Sequence, residues 1–215
     1  MTMNDNLLAT WDYSTDLDST ALIIPDGCQD LIIRMMDGQC PDWFVSSLYD
    51  HAQLESIQAG SLMTGFRFKA GVRVQNELLL HSLKGNCFEN DEIFNRIDDF
   101  TYLKCSVGEA LDCLASEVRS VAHASTEIGV SQRTLQRLLM KETNRSPVYW
   151  FMLARARRAA RSLVEPIPLA EIADSCGYAD QAHMSREFKH WFKVSPATIR
   201  NSPEILNQLN HLGYD

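Results

Sequence analysis

Two stretches of the sequence place glutamine and arginine on one face of a helix. The members of the two sets are Gln132, Arg133, Gln136 and Arg137, and Gln181, Ala182, Ser185, Arg186 and Lys189. Arginine donates two hydrogen bonds to a base edge, and glutamine donates one and accepts one, which suits bases in the major groove of DNA. Neither set contains a carboxylate, whereas a merely solvated helix face usually mixes Glu with Lys. The pattern therefore predicts two surfaces that bind nucleic acid.

Each face belongs to a predicted helix-turn-helix unit. In the second unit Pro168 begins a short helix, Gly177 permits a tight turn, and Asp180 is an N-cap for a helix over 180–192. The inner positions of this unit are apolar, namely Leu169, Ile172, Ala173, Met184, Phe188 and Phe192. This spacing places them in one core.

The first unit repeats the plan. Gly129 makes the turn and Ser131 caps a helix over 131–141, with inner positions Val121, Ala124, Ile128, Leu135, Leu138 and Leu139. A long helix, Pro147–Val164, separates the units and ends before Pro166. Its eighteen residues would span roughly 27 Å. That length is consistent with two recognition helices held about one DNA turn, roughly 34 Å, apart.

The first 70 residues have a different pattern, with short apolar runs between turn residues. The runs are Thr20–Ile24, Leu31–Met36, Trp43–Leu48 and Leu62–Phe68. Pro25-Asp26-Gly27 between the first two is a strong turn signal. This half is predicted to be antiparallel β structure, followed by a helix over Gly71–Leu83.

Charge is distributed unevenly along the chain. The net charge of −8 divides into −11 for residues 1–115, +5 for 116–200 and −2 for 201–215. A basic module joined to an acidic domain has this asymmetry. The sequence shows no apolar run of membrane-spanning length and no secretory signal, so no membrane association is expected. Six cysteines without a CxxC pair indicate reduced thiols in a cytoplasmic protein.

Residues 107–200 resemble the AraC/XylS family of bacterial transcription regulators. The resemblance lies in VSQRTLQRLLMKETNRSPVYW, LARARRAARSL and PLAEIADSCGYADQAHMSREFKHWFKVSPATIR. It implies base contacts from Arg133, Gln136, Arg137, Gln181, Ala182, His183 and Arg186, and phosphate contacts from Ser131, Thr134 and Lys189. Three residues depart from the family pattern: Ser125, Leu139 and Asn144, where Ala, Phe and Gly are usual.

The front half resembles the small cupin-like sensor domains of some family members. The residues that carry this resemblance are Ile24–Leu31 and Gly65–Gly71, with Ala70 in place of the usual proline. Too few strands are visible for a closed barrel, so the sensor is either minimal or completed by a second copy. Trp43, Phe66, Arg67 and Phe68 are the candidates for lining an effector pocket, with strand core as the alternative.

No catalytic constellation is visible, and the protein is not expected to be an enzyme. His51 is the one histidine of the β region, too few for a metal site of the cupin type. Cys28 lies beside Asp26 and Asp30, which would raise its pKa rather than activate it. No cofactor or metal is expected.

The sequence thus predicts an α+β protein of two domains. The two domains are a small antiparallel β, cupin-like sensor or dimerisation domain (1–75) and an all-α double helix-turn-helix domain (107–203). A helical connector (76–106) joins them, and a polar tail (204–215) follows. The predicted function is effector-controlled, sequence-specific transcription regulation, as an activator or a repressor. The expected partner is double-stranded DNA, with a small-molecule effector, RNA polymerase and a second copy as further candidates. The alternative is an interaction protein whose helical half binds a partner, or binds DNA only non-specifically.

Overall fold

The computed structural model describes residues 5–84 and 88–214. Its strands are β1 (Leu7–Thr15), β2 (Ser19–Ile23), β3 (Asp30–Met35), β4 (Asp42–Val45), β5 (Gln53–Ile57), β6 (Ser61–Phe68), β7 (Arg73–Val74) and β8 (Thr101–Tyr102). An antiparallel sheet has the order β1-β6-β3-β4, and β2-β5 and β7-β8 form separate pairs. The prediction of antiparallel β structure is confirmed, but the described strands do not close into a barrel.

One face of the four-stranded sheet is covered by two helices, α1 (Asn76–Leu83) and α2 (Asn90–Phe100). Alternation along the strands directs Leu31, Ile33, Trp43, Phe66 and Phe68 into a shared core. Leu79, Leu83, Ile93 and Ile97 enter that core from the helices. Helices α1 and α2, in the stretch expected to form a connector, therefore pack against the sheet of the amino-terminal unit and cover its apolar face.

The turn before β3 fits its sequence closely. The Asp26 carboxylate accepts a hydrogen bond from the Cys28 N–H at 2.9 Å, and Gly27 has a φ of +75°. A Cβ at Gly27 would lie 2.7 Å from the Cβ of Tyr214. Glycine is needed here both for its backbone conformation and for the close approach of another segment.

The remaining helices pack around a second core. They are α3 (Cys105–Ala115), α4 (Val121–Glu127), α5 (Gln132–Thr143), α6 (Pro147–Arg161), α7 (Leu169–Ser175), α8 (Gln181–Trp191), α9 (Pro196–Arg200) and α10 (Pro203–Leu209). The long helix predicted to reach Val164 ends at Arg161 and continues as a 3-10 turn, Ser162–Val164. Within the described ranges, no helix is long and apolar enough to cross a membrane.

Residues 204–215, expected to form a polar tail, instead join the second core over their described part. Leu209 is 1% exposed and Tyr214 is 6% exposed. The Tyr214 hydroxyl donates to the Leu111 carbonyl at 2.9 Å, and its ring packs edge-on against Trp150. The sequence does not reveal this role for two reasons. The residues around Tyr214 are mostly polar, and its partners Leu111 and Trp150 lie more than sixty residues earlier in the chain.

The described cysteines are all free, namely Cys28, Cys40, Cys105, Cys113 and Cys176. Cys87 lies outside the described residues. Burial, reinforced by the neighbouring Asp26 carboxylate, raises the pKa of Cys28 well above its usual range. The Cys28 thiol therefore stays protonated and weakly nucleophilic near neutral pH, as its acidic neighbours predict.

Candidate nucleic-acid interface

The second helix-turn-helix unit consists of α7 and α8. Gly177 has a φ of +73° between the helices, and the Asp180 carboxylate accepts from the His183 N–H at 2.6 Å as an N-cap. Met184 and Phe188 are fully buried on the inner face of α8, and Phe192 is buried just beyond its end. The local signals for a turn, a cap and an apolar stripe thus produce the predicted unit.

The first unit, α4 and α5, has the same construction. Gly129 has a φ of +70°, and the Ser131 hydroxyl accepts from the Thr134 N–H at 3.1 Å. Leu135 and Leu139 are completely buried. The left-handed backbone at Asn144, with a φ of +55°, ends α5, so asparagine serves in place of the glycine usual there.

The outer faces of α5 and α8 carry most of the predicted DNA contacts. The exposed members are Ser131, Arg133, Thr134, Gln136, Arg137, Gln181, Ala182, Arg186 and Lys189. The hydroxyls of Ser131 and Thr134 lie 2.9 Å apart at the start of α5, where helix N–H groups favour an anion. Both faces combine positive charge with hydrogen-bond donors.

The acidic side chains of these two helices are withdrawn from the outer faces. Glu142 of α5 is 7% exposed in its side chain and faces Arg73 and Lys104, each at 3.6 Å. The Glu187 side chain of α8 is also 7% exposed and forms an ion pair with Arg155. Neither carboxylate is therefore placed to repel a phosphate backbone.

Among the predicted base contacts, His183 differs in being only partly exposed, with its ring directed toward other residues of the unit. Its Nε2 lies 3.3 Å from the Glu187 carboxylate, and its Nδ1 accepts from the Ala179 N–H at 3.4 Å. Its ring packs edge-on against Tyr178 at 5.3 Å. Both ring nitrogens have partners within the unit, so the structure favours a role for His183 in bracing the turn.

Two sets of contacts that hold the recognition helices in place could not be predicted from the sequence. The end of α5 contacts the amino-terminal unit through Arg73 and Glu142. The turn and α8 of the second unit contact α6 through Arg155, which touches both Gly177 and Glu187. Glu187 lies four residues after His183, which is a visible helical spacing, but nothing local identifies an arginine 32 residues earlier as its partner.

The four candidates for an effector pocket do not surround one cavity. Trp43, Phe66 and Phe68 are buried in the core of the four-stranded sheet. Arg67 lies on the opposite face, because side chains alternate along β6, and it pairs with Asp26 at 3.1 Å and Asp30 at 3.0 Å. The expectation that these four residues line a single pocket is therefore wrong, although Phe68 also borders the cleft described below.

A cleft of about 230 Å³ lies where the amino-terminal unit meets the end of α5. From the amino-terminal unit it is lined by Gly27, Gln29, Leu48 and residues 68–69 and 71–74, and from the helical part by residues 141–144. Lys69, Arg73 and Lys141 give this cleft a positive lining, with Glu142 as its acidic member.

Comparison with known proteins identifies the helical part. A family model described as a helix-turn-helix domain matches residues 124–202, which include most of the first unit, the long helix α6 and all of the second unit. Residues 124–202 form an AraC-type helix-turn-helix domain. The AraC-type domain is that of DNA-binding transcription regulators, and the resemblance inferred from the sequence is confirmed.

Regulators from several bacteria are similar to the chain. The Msm operon regulatory protein of Streptococcus mutans is 26% identical over 168 residues, 74% of this chain and 60% of that protein. The HTH-type transcriptional regulator ArgR of Pseudomonas aeruginosa is 32% identical over 73 residues, 34% of this chain and 22% of that protein. The chain thus spans less than two thirds of these relatives.

A solved structure is similar to part of the chain. The C-terminal domain of AraT, a response regulator from Geobacillus stearothermophilus, is 25% identical, with a TM-score of 0.43. The match covers 46% of this chain and 85% of the AraT domain.

Proposed function

We propose that this protein is a cytoplasmic, sequence-specific transcription regulator whose helices α5 and α8 enter two successive major grooves. The observation that carries the proposal is the pair of exposed, donor-rich faces from which Glu142 and Glu187 are withdrawn. Helix α6, about 22 Å long at fifteen residues, separates the two units and packs against both. That arrangement suits one chain that contacts two half-sites.

Arg137 and Arg186 are proposed as the principal base contacts. They occupy equivalent positions, each six residues after its N-cap, Ser131 and Asp180. Arginine recognises guanine through two hydrogen bonds, so each is expected to contribute about 1–3 kcal/mol of specific binding. Arg133, Gln136, Gln181 and Ala182 are proposed as the surrounding contacts.

Phosphate contacts are proposed for Ser131, Thr134 and Lys189. A phosphate contact carries no base information, so Lys189→Ala should weaken binding equally on all sequences. It should also reduce the slope of log affinity against log salt by about 1. These two effects distinguish Lys189 from Arg186, which lies on the same helix.

Selection from random DNA duplexes tests the proposal. The full chain is expected to enrich an asymmetric motif of about two helical turns, and the Arg137→Ala/Arg186→Ala variant should lose it. Arg34→Ala, which removes an exposed arginine of β3, is the control and should enrich the wild-type motif. A palindromic motif would indicate a dimer, and no enrichment by the full chain or by residues 107–215 would favour an interaction protein.

An effector site is proposed at the cleft between the amino-terminal unit and α5. A ligand there would contact residues 141–144, the end of the first recognition helix, and so couple occupancy to DNA binding. A small-molecule screen by thermal unfolding should find compounds that stabilise the wild type but not Lys69→Glu. Hits that stabilise both equally would contradict this location. RNA polymerase and a second copy of the chain stay predictions.

A further inference from the structure

One guanidinium group, that of Arg155 in α6, touches both the turn and the recognition helix of the second unit. Its Nη1 donates to the Gly177 carbonyl at 3.5 Å, and its Nη2 donates to the Glu187 carboxylate. Its Cζ lies over the ring of Tyr178, 4.5 Å from the ring centroid. We refer to Arg155, Gly177, Tyr178 and Glu187 as the Arg155 clamp.

The ionic part of the Arg155 clamp, Arg155 with Glu187, is largely shielded from water. The side chains of Arg155 and Glu187 are 12% and 7% exposed. Burial and the nearby Glu187 carboxylate raise the pKa of Tyr178, so its phenol stays neutral beneath the guanidinium. A buried ion pair has strict geometry, because displacing either partner leaves an uncompensated charge. The clamp therefore fixes the distance and the rotation of α8 relative to α6.

The position of Glu187 connects this geometry to the outer face of α8. Glu187 follows directly after Arg186, the proposed base contact, so the two side chains leave the same turn of α8 on different faces. A small rotation of α8 about its axis would move Arg186 away from a base edge. Bidentate hydrogen bonds tolerate little displacement.

The first unit lacks an equivalent ion pair. When the N-caps Ser131 and Asp180 are aligned, Leu138 of α5 occupies the place of Glu187. Leu138 packs against the apolar core of the helical half. Apolar contacts are not directional, so at this position α5 is held by packing, whereas α8 is held by a directed ionic contact. The ion pairs of α5 lie instead near its end, where Glu142 faces Arg73 and Lys104 of the preceding part of the chain.

We propose that Arg155 is a positioning residue for the second recognition helix alone, and that it sets base selectivity at the half-site that α8 contacts. This inference rests on the proposed function, since it presumes that α5 and α8 each contact a half-site. Arg155 touches no DNA in this proposal. It acts through Glu187 and through the turn at Gly177.

The test compares half-site selectivity in the full-length protein. Selectivity is the ratio of dissociation constants for a duplex with one scrambled half-site and for the fully matched duplex. Arg137→Ala and Arg186→Ala first identify which half-site belongs to α5 and which to α8. A partly unfolded sample changes neither ratio, because both duplexes are bound by the same folded fraction.

Arg155→Lys is the informative variant. Lysine keeps the charge, but a compact ammonium cannot bond Gly177 and Glu187 together while stacking on Tyr178. We expect selectivity at the α8 half-site to fall about tenfold, with that at the α5 half-site unchanged. Glu187→Gln should have the same one-sided effect. Arg158→Lys is the matched control, because Arg158 lies on the same helix but bonds the Ser116 carbonyl.

The outcomes separate the two proposals. Unchanged α8 selectivity in both Arg155→Lys and Glu187→Gln, or an equal fall at both half-sites, would overturn the positioning role while leaving the proposed function intact. If Arg137→Ala and Arg186→Ala alter neither ratio, the assignment of the recognition helices fails, and the positioning role fails with it.

Discussion

Asp26 and Asp30 both contact the Arg67 guanidinium, yet their surroundings give the two carboxylates different roles. Asp30 accepts from the Trp11 indole N–H at 2.8 Å and from the Arg67 Nε at 3.0 Å. Asp26 accepts from the Cys28 N–H, which an asparagine oxygen can also do. Asp30→Asn should therefore lower the free energy of unfolding by about 2 kcal/mol. Asp26→Asn should change it by less than about 0.5 kcal/mol at pH 7, as measured by urea unfolding.

Asp26 also makes the free energy of unfolding depend on pH, in a direction that its raised pKa fixes. Burial raises the pKa of Asp26 above its ordinary value, against the opposing effect of Arg67. The folded state thus favours protonated Asp26, and this group contributes more stability as pH falls through its raised pKa. The free energy of unfolding of the wild type should rise relative to that of Asp26→Asn between pH 7 and pH 4. A constant or falling difference would contradict the raised pKa.

At the scale of single elements, the recognition helices depend on their inner stripes rather than on their outer faces. Leu135 of α5 and Phe188 of α8 are completely buried in the shared core. Leu135→Ala and Phe188→Ala should each lower the free energy of unfolding by about 2–5 kcal/mol, because each leaves a cavity. Circular dichroism during thermal unfolding measures this loss. Met140→Ala, on the exposed side of α5, should leave the midpoint nearly unchanged.

The elements that the sequence predicts are those with local signals. Caps such as Ser131 and Asp180, the turn glycines and a 3.6-residue apolar period all lie within about a dozen residues, so both helix-turn-helix units are predictable. Strand β1 is not, because LLATWDYST becomes a strand only by pairing with β6, some fifty residues later. The contact of Arg155 with Glu187 could not be predicted for the same reason, since the two residues are distant in the sequence.

At the scale of the whole molecule, the two halves are joined by direct contacts. Ile24 of the amino-terminal half belongs to the same buried cluster as the helices of the AraC-type domain. The Ala52 N–H donates to the Trp191 carbonyl at 2.7 Å, and the Tyr149 hydroxyl donates to the Tyr49 carbonyl at 3.1 Å. A change in the amino-terminal half thus has direct routes to α6 and α8.

Tyr214 contacts residues of both halves. Its N–H donates to the Asp26 carbonyl at 2.7 Å, while its ring packs on Trp150 and its hydroxyl bonds Leu111. Tyr214→Ala should lower the free energy of unfolding by about 3–5 kcal/mol, as for other buried aromatic truncations. Tyr214→Phe removes only the hydroxyl and should cost about 1 kcal/mol.

Calorimetry of Tyr214→Ala tests whether the two halves still unfold together. The Tyr214 ring anchors to Trp150 and Leu111 of the helical half a segment whose main-chain N–H bonds Asp26 of the amino-terminal half. Tyr214→Ala keeps that N–H but releases the anchor, so it should divide the single unfolding transition expected of the wild type into two, with the amino-terminal half and the AraC-type domain melting separately. Leu212→Ala is the control, since Leu212 is 57% exposed in the same segment and its side chain supports neither half. A single transition in Tyr214→Ala, at the temperature found for Leu212→Ala, would show that the other contacts between the halves suffice to couple them.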